Sequence, residues 1–228
     1  MSNSKQLRAR AWESLKGKYW TAFSVVLVLG LLGSIGTCMF TWAQDLTEMV
    51  NMVDPAEMDE TMQIGALVVL GSALVLTFIG FLYGLFVGNA TTVGLCNYFI
   101  KNTDSKPSFT DAFSGFKVRY GRNIGTLLLV GIKIVLWSCL LIIPGIIKCY
   151  EYAIIPYILA DDAEISSKDA FKKAKELMKG NKWRLFKLEF SFIGWILLCA
   201  LTLGIGAFFL IPYVDAANAE FYVELKNQ

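Results

Sequence analysis

Lys133, Glu189, Asp215 and Asn218 are polar residues set inside long runs of apolar side chains. A charged group in hydrocarbon costs a few kcal/mol, so each needs a partner or a purpose. Asp215 and Asn218 stand three residues apart and share one face of a helix. Two arrangements fit this set. In the first, Lys133, Glu189, Asp215 and Asn218 form an intramembrane polar cluster that lines a cavity for a proton, an ion or a lipid headgroup. In the second, Lys133 and Asp215 form a buried structural pair, and Glu189 lies near headgroup depth beside Lys187. Lys148 and Glu151 have the spacing of a local ion pair at the membrane interface. Lys168, Lys172, Lys173, Lys175 and Lys179 crowd one segment and are candidate contacts for anionic lipid headgroups.

Other chemistries lack their residues. The chain has no histidine, which removes the commonest general base and the commonest metal ligand together. Its cysteines, Cys38, Cys96, Cys139, Cys149 and Cys199, lie in or beside apolar runs with no metal-ligand spacing. They read as small packing residues. Metalloprotease, serine-hydrolase and phosphate-loop motifs are absent. An intramembrane aspartyl protease needs two buried aspartates meeting across helices, and Asp215 is the only one placed at mid-run. The expectation is a protein that is not an enzyme, with no catalytic residues, no metal, no cofactor and no nucleic-acid partner.

The elements that must hold these residues are apolar blocks. Of the 228 residues, 55% are hydrophobic, and the mean hydropathy is +0.52. The apolar residues are gathered into runs of about 20, the length that crosses a hydrocarbon core of about 30 Å. Residues 1–20 carry Lys5, Arg8, Arg10, Lys16 and Lys18 against Glu13, whereas residues 43–63 carry Asp45, Glu48, Asp54, Glu57, Asp59 and Glu60 with no base. Basic charge returns in 101–122 and 168–187. Loops rich in Lys and Arg stay on the cytoplasmic side. The pattern therefore predicts an all-α polytopic bundle with both termini cytoplasmic and six spans at about 20–41, 64–87, 124–143, 146–160, 183–203 and 206–225. The acidic loop 43–63, turning at Asp54-Pro55, lies outside, and the basic segments 1–19, 88–123 and 161–182 lie inside. The whole chain is read as one membrane domain. Its first apolar run exceeds a signal-peptide core and is read as a retained helix.

The stretch from Ile124 to Ala160 is too long for one crossing, and Pro144-Gly145 is read as the turn that divides it. Gly204-Ile205-Gly206 divides the last two spans. The segments beginning at Ala11 and Ala174 share the pattern A-x-E-x-[L/M]-K-G-x-x-W-x-x-F without a gap. The plan is then three helical hairpins, each preceded by a basic amphipathic cytoplasmic helix, as parallel repeats. In 166–180, Ala170, Phe171, Ala174, Leu177 and Met178 form one face, with Ser166 as the cap; Phe109, Ala112, Phe113 and Phe116 form another, capped by Ser108. Such helices are expected to lie in the headgroup plane.

The run from Leu140 to Tyr222 contains I-P-G-I-I-K-x-Y (Ile143–Tyr150), Y-I-L-A-D-D (Tyr157–Asp162), L-M-K-G-N-K-W (Leu177–Trp183), F-I-G-W (Phe192–Trp195), L-T-L-G-I-G (Leu201–Gly206) and I-P-Y (Ile211–Tyr213). These motifs resemble the bacterial integral membrane family called domain of unknown function 975, whose N-terminal part the W-x-x-F of Trp20–Phe23 also matches. The resemblance implies a multi-pass protein of the bacterial cytoplasmic membrane with no established activity. The plan is similar as well to the membrane part of some glycerophosphodiester phosphodiesterases, whose soluble catalytic domain has no counterpart here. Three functions follow: a membrane scaffold or transport-accessory protein with a protein partner or a homo-oligomeric state; a small transporter using the polar cluster; and, more remotely, a lipid-modifying or proteolytic intramembrane enzyme.

Overall fold

The computed structural model describes residues 2–54, 57–104, 107–202 and 204–228, and among these it is all helical, with no strand. The helices, in chain order, are α1 (Ser4–Leu15), α2 (Tyr19–Asn51), α3 (Glu60–Tyr83), α4 (Asn89–Asp104), α5 (Ser114–Lys117), α6 (Tyr120–Leu140), α7 (Ile142–Tyr152), α8 (Ile155–Asp161), α9 (Ser167–Leu177), α10 (Lys182–Phe190), α11 (Ile193–Leu201) and α12 (Ile205–Lys226). A π-helical turn, Gly84–Gly88, joins α3 to α4, and a 3-10 turn, Phe109–Phe113, precedes α5. Four helical runs are long and apolar enough to cross a membrane: Tyr19–Asn51, Glu60–Asp104, Tyr120–Leu140 and Ile142–Asp161. The chain divides into two compact units, Met1–Leu29 with Asn89–Gln228, and Gly30–Gly88.

In the larger unit the core is made by one stripe from each of several helices. Leu7, Ala11 and Leu15 of α1 are buried, as are Ala216, Ala217, Ala219 and Leu225 of α12, which α1 packs against. The small side chains of α12 let it approach α4, whose Val93, Tyr98 and Phe99 are buried. Ile155, Ile158 and Leu159 of α8 complete that interior. Charged groups close its edge: Glu224 takes Arg10 and Arg184 at 2.5 Å each and the backbone N–H of Ser2 at 2.9 Å. The Arg122 guanidinium donates to the carbonyls of Ala163 and Ile165 at 2.7 and 2.9 Å, which ties the start of α6 to the loop before α9.

Several expected boundaries move. The acidic segment is not all loop: α2 continues through Asp45 and Glu48 to Asn51, and Asp59 caps α3 through Met62 N–H at 2.7 Å. The expected Asp54-Pro55 turn falls at Pro55 outside the described residues. Pro144 is not the turn between α6 and α7. Leu141, extended at φ −160°, makes the reversal, and Pro144 lies in the first turn of α7, where its missing N–H has no intrahelical role. Gly145 is what the hairpin needs. A Cβ there would meet Ser138 Oγ at 2.4 Å and Ser138 Cα at 2.8 Å, so only glycine lets the two arms touch. Expected spans 146–160 and 183–203 are each broken, at 153–154 and at 191–192.

The expected interfacial helices also differ. Ala170 and Ala174 on α9 and its capping Met178 are fully buried in protein, as are Leu7, Ala11 and Leu15 of α1. A helix that packs one face on its own protein has the same periodicity as one that lies on lipid, and sequence alone does not separate them. Ser166 and Ser108 do cap the segments assigned to them. The aligned positions of the shared pattern have the same local geometry: Gly17 and Gly180 lie at φ +74° and +79°, and Ala11 and Ala174 are both fully buried. A left-handed glycine ends each lead helix and starts the next.

In the smaller unit α2 and α3 cross at Gly36 and Gly80, where an added Cβ on either would fall 2.8 Å from the other's carbonyl. The Tyr83 hydroxyl donates to the Leu32 carbonyl at 3.0 Å beside that crossing.

Candidate functional site

A cavity of about 250 Å³ lies among α4, α8, α10 and α12 in the larger unit. Its polar lining comes from Thr92 and Cys96 of α4, Tyr157 of α8, Glu189 of α10, and Asp215 and Asn218 of α12. Phe99, Ile154, Leu185 and Phe221 close the rest with apolar surface. The i, i+3 spacing on α12 aims Asp215 and Asn218 at the same space. Tyr157 and Cys96 stand together in this lining. Glu189 is exposed and stands at the rim, where its Oε2 accepts from the Tyr150 hydroxyl at 2.8 Å.

Two atoms of this lining have no protein partner. Asp215 Oδ2 and Asn218 Oδ1 are buried and accept no hydrogen bond. Leaving such an acceptor unmatched costs about 1–3 kcal/mol. No lysine or arginine lines the cavity, and neither Asp215 nor Glu189 joins an ion pair among the described residues. The site thus holds two unmatched acceptors and no cationic side chain, a setting that binds a group bringing its own N–H bonds and positive charge.

Glu189, Asp215 and Asn218 are therefore brought together, and Lys133 is not. Lys133 Nζ lies 3.5 Å from the centroid of the Phe171 ring on α9 and 6.0 Å from that of Tyr152. The alternative that paired Lys133 with Asp215 does not describe the structure. The reason is azimuthal: α6 packs on α4, α7, α8 and α9, so its charged residue turns toward α9. A cation over an aromatic face gains about 0.5–2 kcal/mol, which holds Lys133 without an acid.

Lys148 and Glu151 form an ion pair at 2.6 Å, and Lys182 of α10 adds a second cation on Glu151 at 2.5 Å. Glu151 is only 4% exposed, so both its oxygens are matched where water is scarce. Sequence reasoning missed Lys182. The only signal was its position next to Trp183 in the shared pattern, which gives no direction. On α9, Lys168, Lys172 and Lys175 are exposed and Lys173 is half-buried; Lys179, exposed, follows its C-terminal end.

A second, apolar groove of about 590 Å³ is lined by Trp12, Tyr19, Trp195, Phe209 and Tyr213 with neighbouring residues of α11 and α12. It carries no charged residue.

Searches of the curated proteins and of the solved structures found no match to this chain. A family model described as protein of unknown function (DUF975) matches residues 139–228, which hold Glu151, Lys182, Glu189, Asp215 and Asn218. Over that C-terminal part the match bears out the resemblance to the domain of unknown function 975 family.

Proposed function

We propose that this is a ligand-binding membrane protein whose acidic cavity takes a primary ammonium group, a carrier-type role rather than that of a passive scaffold. The observation that carries this reading is the pair of unmatched buried acceptors, Asp215 Oδ2 and Asn218 Oδ1, in a cavity without lysine or arginine. An ammonium supplies three N–H donors and one charge. Asp215 and Asn218 accept two of the donors, and Glu189 at the rim adds a second carboxylate for the approaching cation. A cavity of about 250 Å³ suits a group the size of ethanolamine. Both a free amine and an aminophospholipid headgroup present that chemistry.

Four apolar helical runs support a membrane location, and the family resemblance supports the bacterial cytoplasmic membrane, with α9 and the termini on the cytoplasmic side. The exposed lysines of α9 support contact with anionic headgroups. The shared pattern at Ala11 and Ala174 is read as an internal repeat, supported by the matching glycine conformations at Gly17 and Gly180. No catalytic role is assigned.

The test uses the full chain. Ethanolamine is titrated into the detergent-solubilised protein by calorimetry, and the protein is separately placed in nanodiscs with and without phosphatidylethanolamine. Saturable ethanolamine binding that Asp215→Asn weakens at least about tenfold is the expected result. Thermal stabilisation only in the aminophospholipid discs, lost in the same variant, assigns the lipid as the source. Equal behaviour of the parent and Asp215→Asn proteins in both arms overturns the reading and returns the scaffold.

A further inference from the structure

We propose that the α6–α7 and α11–α12 hairpins do not cross the bilayer but enter one leaflet as wedges and return to the face that carries α9. This replaces the four crossings that hydropathy assigns to those segments.

The charge-free length comes first. Two crossings joined by a turn need about 40 apolar residues. The α6–α7 hairpin has only residues 134–147 free of charge, bounded by Lys133 and Lys148, and these must serve both arms and the turn. The α11–α12 hairpin has residues 190–214, bounded by Glu189 and Asp215. By contrast, residues 19–44 in α2 and 61–100 in α3 and α4 are each charge-free over a full crossing.

The contacts then fix where the bounding charges sit. Lys133 Nζ rests 3.5 Å from the Phe171 ring centroid, on a helix that exposes Lys168, Lys172 and Lys175, with Lys179 exposed just beyond its end. A helix bearing three exposed lysines stays out of hydrocarbon, so Lys133 reaches the interface. Lys148 is held on the other arm by Glu151, which also binds Lys182 at the start of α10. From Lys133 or Lys148 to the reversal at Leu141 is about 10–12 Å of helix. That is less than half of a hydrocarbon core of about 30 Å.

The remaining length of both arms is already used by the protein. The start of α6 is bound in through Arg122 and through Thr126, whose hydroxyl lies 2.8 Å from that of Ser167. Beyond α7, α8 is buried in the core. The second hairpin repeats the plan. Ser191 accepts from Arg8 at 3.1 Å and the Tyr213 hydroxyl donates to the Arg8 carbonyl at 3.2 Å, which places a charged residue at the base of both arms. Above that base, α11 and the exposed part of α12 are each about 10–14 Å long.

The tips agree. Leu140, Leu141, Ile142 and Ile143 are 64–76% exposed, and Leu201 and Ile205 are 81% and 63% exposed. Emerging into water on the far side would leave all of these solvated. Ending inside hydrocarbon gives each an apolar surrounding, and backbone groups at the reversals are matched within the hairpins: Leu141 N–H donates to the Trp137 carbonyl at 3.1 Å, the Leu141 carbonyl accepts from Gly145 at 3.2 Å, and Gly204 N–H donates to the Cys199 carbonyl at 3.0 Å.

The experiment uses the full chain with its native cysteines replaced and single cysteines introduced by Lys175→Cys, Ile143→Cys and Leu201→Cys. Each is probed with an impermeant thiol reagent from either side of the membrane, and the two tip positions are also given a nitroxide. The expected result is labelling of position 175 from one side and of positions 143 and 201 from neither. The tip nitroxides then show high oxygen and low nickel-chelate accessibility, the signature of the bilayer interior. Labelling of positions 143 and 201 from the side opposite to 175 establishes full crossings and overturns the proposal. Labelling from the same side as 175 overturns it too, by placing the tips in water. A variant that elutes as an aggregate is replaced by Leu140→Cys or Ile205→Cys, which report the same depths.

Discussion

Glu151 and Asp215 are acids in the same unit, and the chain treats them differently. Glu151 is given two lysines from two directions, whereas Asp215 is given an amide neighbour and an oxygen without a donor. The fold supplies cations to a buried carboxylate where structure is at stake. Their absence around Asp215 is the feature on which the proposed ammonium site rests.

Breaking the comparison begins with Glu151. Glu151→Leu leaves Lys148 and Lys182 facing each other with no acid, and costs about 3 kcal/mol. This is the lower end for breaking a buried pair, because both lysines keep part of their hydration. Chemical denaturation in mild detergent reads this as a lowered midpoint. Asp215→Asn is expected to do the opposite: it removes an uncompensated buried charge and leaves stability unchanged or raises it by up to about 1 kcal/mol. If both variants lose stability equally, the two acids are equivalent and the contrast fails.

Lys133 sharpens the picture, since it is a half-buried cation held by aromatic rings. Lys133→Met is expected to cost about 1 kcal/mol or less. Combined with Asp215→Asn, its effect should be additive within about 0.5 kcal/mol, as for groups without a shared partner. A larger coupling in that double-mutant cycle restores the pairing that the geometry denies. The smallest effect belongs to Asp111. The hydrogen bond from Lys101, helped by the Ser108 backbone N–H, holds its carboxyl below the usual range. Its contribution is present at neutral pH and disappears as acid protonates it through that lowered value. Asp111→Asn should therefore flatten the loss of stability below about pH 4 and change nothing near pH 7.

Hydropathy located the apolar helices, because a run of apolar residues specifies burial in something, but not α4, which lies in the expected basic segment 88–123 and carries the core residues Val93, Tyr98 and Phe99. What it left open was the depth and direction of the polar residues. Asp215, Asn218 and Glu189 share a cavity, without the Lys133 that the expected cluster included. Lys133 lies at a similar position along its own run but faces another helix, since position along a helix says nothing about azimuth until its neighbours are known. The stripe of α9 was legible as a stripe, yet it covers protein and not lipid. Pro144 marked the right neighbourhood and the wrong role: the reversal is an unremarkable Leu141, and the residue that makes it possible is Gly145, whose necessity exists only against Ser138. Lys182 was invisible because its partner lies far away along the chain.

The bare leucine and isoleucine tips have a mechanical consequence. A helix is about 10 Å across, so four arms that stop within one leaflet claim on the order of 300 Å² in that monolayer and none in the other. Hairpins of this depth work against lateral pressure each time they insert. They rest most easily where their own monolayer is stretched on the convex side, and the shape of the membrane then becomes part of the protein's address.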